Sequence, residues 1–230
     1  MKIKILTSIL VLLSISIFAQ EDHYCNKAHA ARRFFMHKGE RGPVAHDDFD
    51  MKYYRFEWFI DPAVNNISGT ATPYFKVGNT SLKNISFDFS NQLIIDSIVW
   101  HNTKLKFTQP STYKLEIELP VTLQAGVFDS ISITYHGTPP SGGFGSFIKS
   151  THNNTPVIWT LSEPFGAQDW WPTKNGLEDK IDSIDVIIST PPAYRAASNG
   201  MLVREIINTN GTKTYHWKHR YAITPYLVAF

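Results

Sequence analysis

The chain has 230 residues, 43% hydrophobic and 18% charged, enough to bury a substantial core in one large domain or two small ones. Its formal charge of +2 is the contribution of Lys2 and Lys4; the remaining 20 basic and 20 acidic side chains balance. That balance excludes the basic footprint that nucleic acid or an anionic membrane would call for.

Residues 1–19 open on Met-Lys-Ile-Lys, run apolar from Ile5 to Phe18 and reach Ala19 before Gln20. A basic start, a short apolar core and a small residue ahead of a polar one form the pattern of a secretory signal peptide. A spanning helix needs about 20 apolar residues, and this run is shorter and interrupted by Ser8, Ser14 and Ser16. Export to the periplasm, cell surface or medium is therefore expected, with no transmembrane segment in the mature chain. Cys25 is the only cysteine, which excludes an internal disulfide and a cysteine metal site. Residues 20–46 read as an N-terminal extension carrying a helix over about 26–37, stopped near Gly39 and Pro43.

From 47 onward the pattern is that of strands. Runs over 52–60, 67–77, 82–89, 93–100, 104–107, 113–119 and 130–135 are rich in aromatic and β-branched residues. In 113–119, Leu115, Ile117 and Leu119 alternate with Lys114, Glu116 and Glu118, the period-two signature of a half-buried strand. The segment 180–189 alternates into a further buried strand and stops at Pro191-Pro192. Asn199-Gly200 is expected to join a strand over 194–198 to one over 202–207, and Asn210-Gly211 to join that one to 213–219. Residues 226–230 look like one more strand, cut short, as in a chain truncated from a longer one. Many short strands with turn chemistry between them predict an all-β sandwich.

Little of this sequence reads as catalytic machinery. The Gly-rich 138–145 is followed by a strand-like run, whereas a phosphate cradle would need a helix there. No His-Glu-x-x-His occurs among the nine histidines, and His216 and His219, three apart on a strand, point to opposite faces. No Gly-x-Ser-x-Gly elbow is present either. The stretch 159–174 is different. It holds Trp159, Trp170 and Trp171, and one carboxylate, Glu163, directly before Pro164. Proline biases Glu163 toward an extended backbone and makes a cis bond between the two inexpensive. A carboxylate beside a tryptophan pair must be paired or solvated to stay charged, and an ammonium group is a natural partner. A surface Glu beside core tryptophans explains the same residues, and the pattern alone leaves both readings open.

An ordered series of segments resembles the zinc aminopeptidases of the aminopeptidase N family, which includes the leukotriene-hydrolase type. The series runs Ser68-Gly69-Thr70-Ala71-Thr72, Ile133-Thr134-Tyr135-His136-Gly137, the stretch from Glu163 to Pro172, then Ser198-Asn199-Gly200-Met201-Leu202-Val203 and Tyr215-His216-Trp217-Lys218. It closes on Thr224-Pro225-Tyr226-Leu227-Val228-Ala229-Phe230, so the likeness covers about 47–230. The resemblance implies the family's N-terminal β-domain: a saddle-shaped sandwich of mostly antiparallel strands that leans on a thermolysin-like catalytic domain. It further implies zinc for the parent enzyme, with ligands on that other domain and no metal or catalytic residue in this chain. On its own this chain is then expected to be inactive.

The resemblance also implies one substrate-binding element here, a Glu or Gln that holds the free amino group of a peptide's N-terminus. It falls on Glu163, with Gln168 as a weaker pocket-wall candidate and Pro164 as the cis-peptide candidate. The family's usual Arg and Cys in this segment are replaced by Gln168-Asp169 and Thr173, so side-chain preference does not carry over. The alternative is a free-standing secreted β-sandwich module that binds sugar or peptide on a platform of Trp159, Trp170 and Trp171, which would then be exposed.

Overall fold

The computed structural model describes residues 48–140 and 146–230. The expected signal peptide (1–19), the helical extension (20–46) and the glycine-rich residues 141–145 lie outside that range. In chain order the strands are β1 (Phe49–Ile60), β2 (Ile67–Val77), β3 (Leu82–Asp88), β4 (Ile94–Trp100), β5 (Thr103–Lys104), β6 (Phe107–Ser111) and β7 (Lys114–Leu123). They continue as β8 (Phe128–Ser130), β9 (Ser132–Gly137), β10 (Phe147–His152), β11 (Thr155–Thr160), β12 (Ser183–Thr190), β13 (Met201–Ile207) and β14 (Lys213–His219). No α-helix occurs among the described residues; the expected all-β sandwich is what the chain forms.

A nine-stranded sheet runs β13-β14-β12-β1-β2-β9-β4-β5, with β8 also on β2. Every pairing in it is antiparallel except that of β1 with β12, which is parallel and joins segments about 130 residues apart. Facing it is the three-stranded sheet β3-β7-β6, and β10 and β11 form a separate hairpin. The inner face of the large sheet is built by alternation. Tyr54, Phe56, Trp58 and Ile60 of β1 point inward, in register with Ile184, Val186 and Ile188 of β12, while Arg55 and Glu57 point out. Phe49 and Met51 are also buried although they have the opposite parity. A bulge between Met51 and Tyr53 absorbs one residue, and so lets both halves of the strand face the core. From the other layer, Ile85, Phe87, Leu115, Ile117 and Leu119 close the sandwich, with Phe87 against Phe49 at 5.8 Å and Phe89 edge-on to Tyr135 at 5.0 Å.

Four sequence expectations are corrected. The run 104–107 is not one strand: the chain leaves the large sheet after β5 and enters the small one with β6. Residues 194–198 form no strand. Their carbonyls are taken singly by aromatic side chains of β14, Tyr194 by the Tyr215 hydroxyl at 3.4 Å and Ala196 by Trp217 Nε1 at 3.3 Å. Asn199 makes no hairpin turn; its amide donates to Leu227 O at 3.0 Å and accepts from Ala229 N at 2.7 Å, standing in for a strand partner of the last residues. Those residues in turn begin with a 3-10 turn, Pro225–Leu227, rather than a strand. Pro225 has no N–H to give to a ladder. The second pair, Asn210-Gly211, does close the β13–β14 hairpin, with Asn208 and Thr212 hydrogen-bonded across it and Gly211 at φ +84°.

Candidate functional site

The loop from Leu161 to Asn175 leaves the β10–β11 hairpin and lies across the inner face of the large sheet. Its floor is aromatic. Trp171 is edge-on to both Tyr54 and Phe56, each at 5.0 Å, and Trp170 lies 5.1 Å from Trp58 and 5.3 Å from Phe230. Neither Trp170 nor Trp171 has any exposed surface. That overturns the stacking platform of three tryptophans, because only Trp159 reaches solvent, at 42% exposure. A module binding sugar or peptide on that platform has no surface to do it with.

Polar contacts tie the loop to both layers of the sandwich. Tyr54 donates to Pro172 O at 3.0 Å. Trp58 Nε1 donates to the Tyr135 hydroxyl at 2.9 Å, which itself donates to Trp170 O at 2.9 Å. Trp170 Nε1 then donates to Ser162 Oγ at 2.9 Å. Burial pushes the Tyr135 phenol far above its ordinary range, so it stays protonated and able to donate. On the small-sheet side, Asp88 and Thr173 exchange backbone hydrogen bonds at 2.7 and 3.0 Å. The Asp88 carboxylate accepts from Asn175 N at 2.9 Å, and Asn175 Nδ2 donates to Phe165 O at 2.7 Å. Asp169 is buried and takes the Ser146 hydroxyl.

On this floor the candidate residues are placed as follows. Glu163 is exposed, so it is solvated rather than sunk against the tryptophan pair. Its carboxylate meets no hydrogen-bond or ion-pair partner among the described residues. The Glu163–Pro164 peptide bond is cis. Gln168 sits in the 3-10 turn Gly166–Asp169 with no exposed surface, and its carbonyl accepts from Ser90 N at 2.9 Å. The fold does not bring Gln168 to the solvent-facing side with Glu163; its main-chain carbonyl docks the loop on the segment after β3.

Sequence reasoning missed a second polar cluster, on the outer face of the large sheet. Asp185 of β12 accepts from the Tyr53 hydroxyl at 2.6 Å and from Arg220 at 3.2 Å, with His216 Nε2 at 3.4 Å. Burial pushes its carboxyl up, but the Tyr53 hydrogen bond and the charges of Arg220, Lys218 and His216 outweigh that and hold it below the ordinary 3.8. A depressed carboxyl contributes stability that is fully present above its unfolded value and is lost as pH falls through the folded one. Asp185→Asn is therefore expected to cost about 1.5–3 kcal/mol at pH 7. The gap to wild type should narrow below about pH 4. Urea melts at the two pH values check this; an equal gap at both would refute it. His216 Nε2 thus faces the Asp185 carboxylate, while His219 packs on Tyr221 at 6.0 Å. Among the described residues no three His, Cys, Asp or Glu side chains converge as metal ligands.

No protein-family model and no curated protein matches the sequence. Solved structures do match the fold. A mutant two-domain M1 zinc metallopeptidase bound to L-arginine superposes with a TM-score of 0.71 at 21% identity, over 80% of this chain and 42% of that one. The M1 zinc metallopeptidase of Deinococcus radiodurans gives 0.70 at 22%, over the same shares. Yeast LTA4 hydrolase in complex with bestatin gives 0.66 at 16%, over 83% of this chain and 29% of that one. The chain thus spans less than half the length of each of these proteins, and at such identities the likeness is one of fold. That fold is the N-terminal β-domain of M1 zinc metallopeptidases.

Proposed function

We propose that this chain is the substrate-recognition and scaffold domain of an exported zinc aminopeptidase that removes N-terminal residues from peptides, and that Glu163 receives the substrate's free α-ammonium. The observation that carries the reading is the exposed carboxylate of Glu163, without a partner among the described residues, on a loop fixed from below by buried aromatic rings. A carboxylate so placed is free to pair. An α-ammonium satisfies it with a charge-assisted hydrogen bond, whereas an internal peptide offers no charge and leaves the acid unpaired as the site closes over it. That difference selects chain ends. The described residues gather no set of metal ligands; in this reading the zinc of the parent enzyme would be held by the catalytic domain that would be this chain's partner, and this chain's part is binding and orientation.

In the full-length protein, Glu163→Ala should lower kcat/KM for an aminoacyl-anilide by roughly 10- to 100-fold, the value of a hydrogen bond to a charged group. The 230-residue chain alone should turn over none of the same substrate. Unchanged kcat/KM in Glu163→Ala would sink the assignment of Glu163, and turnover by the isolated chain would sink its reading as a non-catalytic domain.

A further inference from the structure

We propose that Ser162 and Trp170 are positioning residues for Glu163, an inference that rests on the amine-binding reading of that carboxylate. The Glu163 side chain makes no hydrogen bond or ion pair among the described residues, so its place is decided by the backbone on either side. On the upstream side, Thr160 N donates to Phe230 O and Leu161 N to Ser146 O, both at 3.2 Å. On the downstream side, Gly166 N donates to Ser162 O at 2.7 Å, closing the turn that carries Glu163 and Pro164.

The residue adjoining Glu163 is itself held by one buried side-chain bond, from Trp170 Nε1 to Ser162 Oγ at 2.9 Å. Ser162 is 1% exposed and Trp170 fully buried, so water does not compete for that bond. Trp170 is fixed in turn at its carbonyl by Tyr135, which is held by Trp58. The relay thus starts on β1 and β9 of the large sheet and ends one residue short of the carboxylate. It transmits the rigidity of the sheet to a surface side chain with no anchor of its own, and small displacements at such a group are expensive for a charge pair that must meet a substrate atom.

Ser162→Ala and Trp170→Phe each delete this one bond while keeping most of the packing. In the full-length protein each should raise KM for a free-amine aminoacyl-anilide about three- to tenfold, with kcat within about twofold, the scale of one neutral hydrogen bond. Ser162→Thr, which keeps the hydroxyl, should stay near wild type. Combined with Glu163→Ala, neither change should raise KM further, because the group being positioned is already gone. If the effects of Ser162→Ala and Glu163→Ala simply multiply, the relay acts on general stability and the positioning role is wrong. If Glu163→Ala alone leaves kcat/KM unchanged, the amine-binding reading fails and this inference with it. Should Trp170→Phe not fold, Ser162→Ala and Ser162→Thr decide the matter.

Discussion

Trp171→Ala is expected to cost the β-domain about 3–5 kcal/mol, the range for truncating a large buried aromatic. In a domain of this size each kcal/mol lowers the melting temperature by roughly 2–4 °C. The reason is local. Trp171 fills the angle between Tyr54 and Phe56 on β1, touching both edge-on at 5.0 Å, and has no exposed surface. Its removal leaves a cavity under the middle of the loop that carries Glu163, lined by stiff rings in the centre of a sheet that cannot collapse into it. Its Nε1 has no hydrogen-bond partner among the described residues. Trp171→Phe should therefore be much milder, losing area but no bond. Thermal melts followed by near-UV circular dichroism separate the two. A Trp171→Ala variant melting within about 3 °C of wild type would show the loop to be far less integral to the core than its burial indicates.

Gly69→Ala should be comparably damaging, by about 3 kcal/mol or more, from strain and overpacking together. Gly69 lies opposite Trp58 on β2 with φ +149°. A Cβ there would stand 2.0 Å from Glu57 O and 2.8 Å from Trp58 Cα, both backbone atoms that cannot turn aside. In the register Gly69 also separates Trp58 from Tyr135, and with no side chain between them the two meet over it at 2.9 Å. An alanine therefore strains the strand pair and the first link of the relay to Ser162. Gly126 is the control: φ is +80° there, but nothing lies within 4 Å of its Cβ position. Gly126→Ala should cost only the ~1–2 kcal/mol of a left-handed backbone. Equal stabilities of the two variants in urea melts would refute the packing argument for Gly69.

The sequence determined what depends on neighbours along the chain. Alternation in β7 and β12 is a local consequence of one face being buried, so those strands could be read directly, as could the Asn210-Gly211 turn. The Glu163-Pro164 pair and the density of tryptophan also marked the loop before any partner was known. Even the β10–β11 hairpin had a local signal that was passed over: Asn153 and Asn154 both take positive φ, at 48° and 64°, as an asparagine pair in a two-residue turn can.

What only the tertiary structure decided is which partner each group finds. Asn199-Gly200 and Asn210-Gly211 look alike in sequence, yet Asn199 is drawn away by the backbone of Leu227 and Ala229, some thirty residues on. The parallel pairing of β1 with β12 leaves no trace in either strand, since both alternate as an antiparallel strand would. The outward face of that pairing gathers Tyr53, Asp185, His216 and Arg220 into one cluster from three separate stretches. In the Glu163 loop, composition could not say which tryptophans were floor and which were surface. Burial answered it, placing Trp170 and Trp171 in the core and leaving the carboxylate in water. Periodicity reports whether a side chain faces in or out; the contact it makes there is set by chain segments that the local sequence does not contain.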